Sequence, residues 1–259
     1  MQDVTPERLL KNPFTTASSF RNSDYSAYVD GHLVHMLDAR PVSVRAGFVH
    51  RALRSLITSS KYPCVGAKSV LNRATYRFGC YGTLASESAS AGLARDLCAF
   101  VAEMCSESER FCSYIAVFAD DSKGYPVPFE RALWQQLSEL RSLDEKFFEY
   151  DQSVSSDPEN PRYAFSFAAC AMFVVGLHPA ATRRARQFPW PALVFNPHHQ
   201  FRLLKASKKY VTFKRVIRSR EMALQGSLNP NLRDFGEQSE ARQYSGDAVK
   251  ETWKCPFGR

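Results

Sequence analysis

The feature that most restricts the fold is the run Phe165–Gly176, FSFAACAMFVVG, which is uncharged throughout and leads through Leu177 into His178-Pro179. A stretch that is aromatic, alanine-rich and β-branched with no polar face suits a strand covered on both sides, as at the centre of an α/β sheet. A second run, Ala192–Phe195, ends in the same manner at Asn196-Pro197-His198-His199. Ligands of parallel or mixed α/β sheets bind outside the carboxyl ends of strands, so these two imidazole-bearing ends are expected to wall one pocket. Between them Arg183, Arg184 and Arg186 form a cationic cluster that an anionic ligand can use. The bland alternative is a set of hydrogen-bonded loop histidines and solvated arginines.

Upstream, helix and strand signals alternate. Val44, Phe48, Val49, Leu53 and Leu56 recur at helical spacing within 41–59, and Tyr62-Pro63-Cys64 breaks that helix. Alternating aromatics make 72–82 a strand. Leu93, Leu97, Val101, Met104 and Cys105 mark one face of a helix over 88–112, and 114–118 reads as a strand. Leu133, Leu137, Leu140 and Phe147 mark another helix, with Pro126 and Pro128 ahead of it. The segment 151–161 is loop-like, and a further helix starts near Gln200 and carries Phe201, Leu204, Tyr210, Phe213, Val216 and Ile217. Residues 1–30 read as an N-terminal arm with little periodicity, clipped on by Asn12-Pro13-Phe14 and Phe20. The expected architecture is therefore a single α/β domain over 1–259. It has a mixed sheet flanked by amphipathic helices and an irregular carboxyl-terminal binding segment.

A hydrophobic fraction of 44% with 13% aromatics is ample for a buried core in 259 residues. No apolar run reaches membrane-spanning length, and MQDVTPERLLKNPF lacks the basic-then-apolar pattern of a signal peptide, so a cytoplasmic protein is expected. The seven cysteines include no CxxC pair, which argues against a disulfide scaffold; Cys98, Cys105 and Cys112 fall seven apart and read as a row of small core side chains. The net charge of +8 raises the question of nucleic acid. Its lysines and arginines are scattered, however, and no nucleic-acid-binding motif appears, so an anionic small ligand or cofactor is the expected partner.

The region from Ile217 to Gly246, followed by Trp253-Lys-Cys255-Pro-Phe257, is dense in polar residues and reads as a binding loop. Asp234, Glu237 and Glu240 are its acids for a cationic substrate group; Arg242, Gln243 and Tyr244 are available for a carboxylate.

The motifs VGLHPAATRRARQF, LVFNPHHQF, IRSRE, LQGSLNP, DFGEQSEARQYSG and WKCPF, taken in order, resemble those of the YqcI/YcgG-type family, which includes haem-dependent N-hydroxylases of guanidino compounds. The likeness runs from about Tyr62 onward. It implies a haem b (iron) monooxygenase that converts L-arginine to Nω-hydroxy-L-arginine in antibiotic (D-cycloserine-type) biosynthesis. Dioxygen or hydrogen peroxide would be the oxidant, and the absence of GxGxxG makes any reductase a separate protein. On this reading His178 is the first-choice axial ligand and His198 the second, with the thiols of Cys64 and Cys255 as rivals. Arg183, Arg184 and Arg186 would meet the propionates, and Phe173, Phe188, Trp190 and Phe195 would line the slot. His198, Glu237 and Glu240 are the candidate catalytic and substrate-binding residues.

Two other classes compete. A metal-dependent hydrolase would use His178, His198 and His199 with an acid such as Glu221, although no HExxH or HxD spacing supports it. A basic nucleic-acid-binding module would account for the charge alone.

Overall fold

The two uncharged runs form one side of a seven-stranded mixed sheet, and the first of them supplies its edge strand rather than its centre. The computed structural model describes residues 12–104, 111–118, 128–207, 210–229, 231 and 235–256. Its strands are β1 (Ser26–Val29), β2 (His32–His35), β3 (Tyr76–Tyr81), β4 (Ser113–Phe118), β5 (Phe165–Phe167), β6 (Cys170–Leu177) and β7 (Ala192–Pro197), in the order β2-β1-β3-β4-β7-β6-β5. Only β3 and β4 are parallel neighbours; every other pair is antiparallel. Strand β4 is central and buried along its whole length, as its sequence SYIAVF allows.

Helices cover both faces. On one side lie α4 (Glu87–Met104) and α5 (Phe129–Asp144), which bury Leu93, Leu97, Phe100 and Leu133, Trp134, Leu137 at helical spacing. On the other lie α2 (Val44–Thr58) and α3 (Val65–Asn72), which bury Val49, Leu53, Val70 and Leu71. Each such side chain contributes about 1.5–3 kcal/mol, so these two cores dominate the stability of the fold. Helix α1 (Ala17–Asn22) docks on α4, while α6 (His198–Ala206), α7 (Tyr210–Gln225) and the short α8 (Ala241–Tyr244) follow β7.

The structure corrects several sequence expectations. The uncharged run is a hairpin, not one strand: Ala168 and Ala169 turn with φ of 50° and 57° between β5 and β6. Two successive positive φ values define the tight turn whose twist matches the flanking strands, usually made by Asn-Gly. Here side chains hold it instead. Asp144 accepts the Ala168 amide at 2.7 Å and Asp151 accepts the Ala171 amide at 2.8 Å.

The described part of the N-terminal arm is integrated into the domain. Phe14 is buried, Asn12 donates to the Arg95 carbonyl at 2.7 Å, and β1 extends the sheet beyond β3. Phe20 remains half exposed beneath the Arg95 guanidinium. Phe147 lies beyond the end of α5 and is exposed. Cys98 is on α4 and Cys112 immediately precedes β4, so these two do not share a helix; Cys105, Pro126 and Asp234 lie outside the described residues.

Candidate functional site

The two strand ends do not share a pocket. Because β6 and β7 are antiparallel, Leu177 pairs with Ala192 and Met172 with Pro197. His178 and His198 therefore leave the sheet at opposite edges, roughly 20 Å apart along the strands.

At one edge His178 follows β6 into a bed made by α5 and the segment after α8. Its ring stacks on Phe129, with centroids 4.2 Å apart and planes at 16°. Nε2 is buried, makes no hydrogen bond among the described residues, and lies 3.6 Å from Asp247 Oδ2. Burial lowers the imidazole below its ordinary pKa, and Arg186 adds to this against the opposing pull of Asp247. Asp247 is fixed through Oδ1, which accepts the Thr182 amide at 3.2 Å. Beside it, Glu130 in the first turn of α5 accepts the Trp253 indole N–H at 3.0 Å and the Ser245 hydroxyl at 3.5 Å. Burial raises the Glu130 carboxyl, and the charge of Asp247 raises it further.

Two glycines permit this approach. A Cβ on Gly176 would sit 2.7 Å from both the Phe129 ring and the Tyr244 carbonyl. Gly246 has φ +85°, open to glycine at little cost, and turns the chain past Arg186 toward Asp247.

The three arginines have separate environments. Arg183 is buried and committed to Glu221 at 2.6 Å and to the hydroxyl and carbonyl of Ser227. Arg184 is exposed and donates to the Leu224 carbonyl. Arg186 donates to the carbonyls of Gly176 and Tyr244, and burial lowers its pKa.

At the opposite edge His198 Nε2 lies 3.0 Å and 3.1 Å from the two oxygens of Glu240, which also accepts the Tyr244 hydroxyl at 2.6 Å. Burial raises the Glu240 carboxyl while these partners oppose the rise. Both catalytic candidates here are thus engaged with each other inside the protein, while Glu237 is on the surface. His199, next to His198, differs: its Nε2 is buried without a hydrogen-bond partner among the described residues, and burial lowers the ring's pKa.

Arg242, expected to face a substrate carboxylate, instead clamps the tail through the carbonyls of Lys250, Glu251 and Trp253. Tyr244 and Gln243 are buried. Cys64 caps α3, its sulfur accepting the Ala67 amide, and burial raises the thiol. Cys255 is buried, and its amide donates to Glu159.

The aromatic slot expected from sequence does not form. Phe195 is fully buried and, like Phe173, packs with the core beneath α4 and α5, whereas Phe188 and Trp190 pack with the core beneath α2 and α3. On that second face Val175 and Val194, cross-strand partners, are only half-buried. Helix α7 lies on this side, with Phe213 stacked on Phe111, yet it buries none of its side chains completely. The Nε of Arg218 on this helix is buried without a hydrogen-bond partner among the described residues.

A family model for the YqcI/YcgG family matches residues 53–258. The chain belongs to the YqcI/YcgG family. The match spans everything from within α2 to the tail, including both histidine edges and α8. No curated protein and no solved structure matches the chain.

A haem would need a free imidazole nitrogen, cations for its propionates and apolar surface. Buried, unbonded Nε2 atoms on His178 and His199 meet the first need, and His198 does not. Arg186 and the unpaired Nε of Arg218 suit the second better than Arg183, which Glu221 neutralises. Val175, Val194 and the loosely packed α7 offer the third. Each need thus has candidate residues of its own, with His178 and His199 at opposite ends of the strands. Among the described residues no set of three or more His, Cys, Asp or Glu is arranged to hold a metal, which leaves the hydrolase reading without its triad. No described helix is long and apolar enough to cross a membrane.

Glu130, Phe129 and Asp247 were invisible as site residues in the sequence. Their only signal was local: an acid just inside a proline-led helix start, and an acid directly after Ser245-Gly246.

Proposed function

We propose that this YqcI/YcgG-family chain is a haem-dependent monooxygenase that hydroxylates a guanidino nitrogen of L-arginine or a similar compound. Family membership supports the activity class. The observation carrying it into the structure is that, among the described residues, His178 and His199 each offer a buried imidazole nitrogen with no hydrogen-bond partner. The two lie at opposite ends of the strands, and the nitrogen of His178 is the one set against a carboxylate.

The haem supplies oxygen activation, which a delocalised guanidinium needs because its nitrogens are poor nucleophiles. One N–H becomes N–OH. With dioxygen, two electrons from a separate reductase and two protons, the second oxygen leaves as water; with hydrogen peroxide, water is the only by-product. Around this chemistry, Phe129 fixes the His178 ring against rotation, and burial keeps that ring neutral so that Nε2 can accept a proton. Arg186 and Arg218 would balance the propionates.

The test is the absorption spectrum of the purified chain. A Soret band at one haem per chain that is kept in His198→Ala is expected. A colourless protein that takes up neither haem nor iron would remove the proposal.

A further inference from the structure

Two carboxylates, Glu130 and Asp247, stand at the carboxyl edge of β6 beside a buried imidazole with an unused nitrogen. Among the described residues Glu130 is met only by neutral donors, the Trp253 indole and the Ser245 hydroxyl. Asp247 is met by a backbone amide and, beyond hydrogen-bond distance, by His178. Neither forms an ion pair with a lysine or arginine among the described residues. Arg186 is near enough to influence Asp247, but its guanidinium donates to the carbonyls of Gly176 and Tyr244.

An orphaned buried nitrogen is costly unless something bonds to it, and two partly desolvated carboxylates repel each other unless a cation lies between them. A planar cation with forked N–H donors meets both needs at once. It can donate in pairs to the carboxylates and once to the imidazole, beside an indole that already holds the Arg242 guanidinium over its ring. Asp247 is about one-third exposed, so the site opens to solvent on that side.

We infer that Asp247, Glu130, His178 and Trp253 form the site that takes the substrate's guanidinium, with Asp247 and Glu130 as its carboxylate acceptors. This assignment rests on the guanidino reading of the site and replaces Glu237 and Glu240 in that role. It also explains the ring geometry: Phe129 holds the imidazole so that Nε2 faces the carboxylate rather than solvent. Burial favours the neutral ring, which can accept an N–H where an imidazolium cannot.

The experiment is equilibrium binding of L-arginine to the full chain, read by calorimetry and by fluorescence, since Trp253 touches Glu130 directly. L-Citrulline, with a neutral urea in place of the guanidinium, is the control ligand, and Trp253→Phe identifies the responding indole. L-Arginine is expected to bind at least tenfold more tightly than L-citrulline. Asp247→Asn and Glu130→Gln are each expected to weaken arginine at least tenfold, with thermal melting and haem content retained.

Equal affinity for the two ligands, or unchanged arginine affinity in both carboxylate variants, would overturn the assignment. So would loss of the haem spectrum in His178→Ala, because the nitrogen would then belong to the iron. A chain that binds arginine through these residues yet takes up no haem would leave the site standing and remove the monooxygenase reading.

Discussion

The guanidinium of Arg183 and the carboxylate of Glu221 meet at 2.6 Å, joining the turn after β6 to α7. Both side chains are nearly nine-tenths buried, and Arg183 also bonds twice to Ser227. Since α7 buries no side chain of its own completely, this pair is a main tether of the helix.

Removing one partner leaves the other charge buried and unpaired, which costs about 3 kcal/mol or more. Arg183→Ala and Glu221→Gln are therefore each expected to lower the midpoint of denaturant unfolding. Combined, they should cost less than the sum, because the double variant leaves no orphaned charge. Additive losses would show that the pair does not couple.

Asp96 is fully buried and accepts three hydrogen bonds, from Ser23 Oγ at 2.5 Å, the Asp24 amide at 2.7 Å and Tyr81 Oη at 2.7 Å. Burial outweighs these donors and pushes its pKa from 3.8 up to about 7. The native state then holds a proton that the unfolded chain releases between those values. Its contribution is present below about pH 4 and is lost as pH rises through 7, a change on the order of 4 kcal/mol at most. Asparagine can keep all three contacts by donating to Ser23 and accepting from the other two. Asp96→Asn is expected to fold and to remove this slope from stability measured against pH. An unaltered slope would assign the pH dependence elsewhere.

Ala169 is exposed and holds φ +57° in the β5–β6 turn. A left-handed conformation costs a residue with a Cβ about 1–2 kcal/mol, and glycine adopts it freely but loses more chain entropy on folding. The net expectation for Ala169→Gly is a gain of about 0.5–1 kcal/mol and a raised melting temperature. A lowered melting temperature would mean that packing of the methyl group outweighs the strain.

The same turn shows where sequence reading stops. Hydrophobic periodicity was enough for α2, α4 and α5 and for β3 and β4, because each buries one face or both against neighbours close in chain order. It could not reveal the hairpin, since Ala168-Ala169 carries none of the turn chemistry that marks such a bend; Asp144 and Asp151 hold it from outside. Nor could it give the direction of β7, on which the separation of His178 from His198 depends. The carboxyl-terminal polar segment was legible as important, but the partners of its residues were not. Arg242 and Glu240 look like surface charges until α8 places them against the tail and His198.

Glu240 brings the last prediction. Its carboxylate receives the Tyr244 hydroxyl at 2.6 Å and meets His198 Nε2 at 3.0 Å, and all three side chains are buried. Tyr244 in turn accepts the Phe165 amide at 3.0 Å, so the chain of contacts ties α8 to the start of β5 and to the first residue of α6. A residue so placed holds elements together and is not free to receive a guanidinium. Glutamine retains the size but offers one acceptor where the carboxylate offers two, leaving Tyr244 or His198 in a poorer contact at a cost of about 1–3 kcal/mol. Glu240→Gln is therefore expected to lower the unfolding free energy by that amount while the KM for L-arginine and the haem spectrum stay as in the unaltered chain. Loss of uniform substrate binding would give the reverse pattern, a raised KM with stability unchanged. A tenfold increase in KM without loss of stability would return Glu240 to the substrate and remove the tethering role.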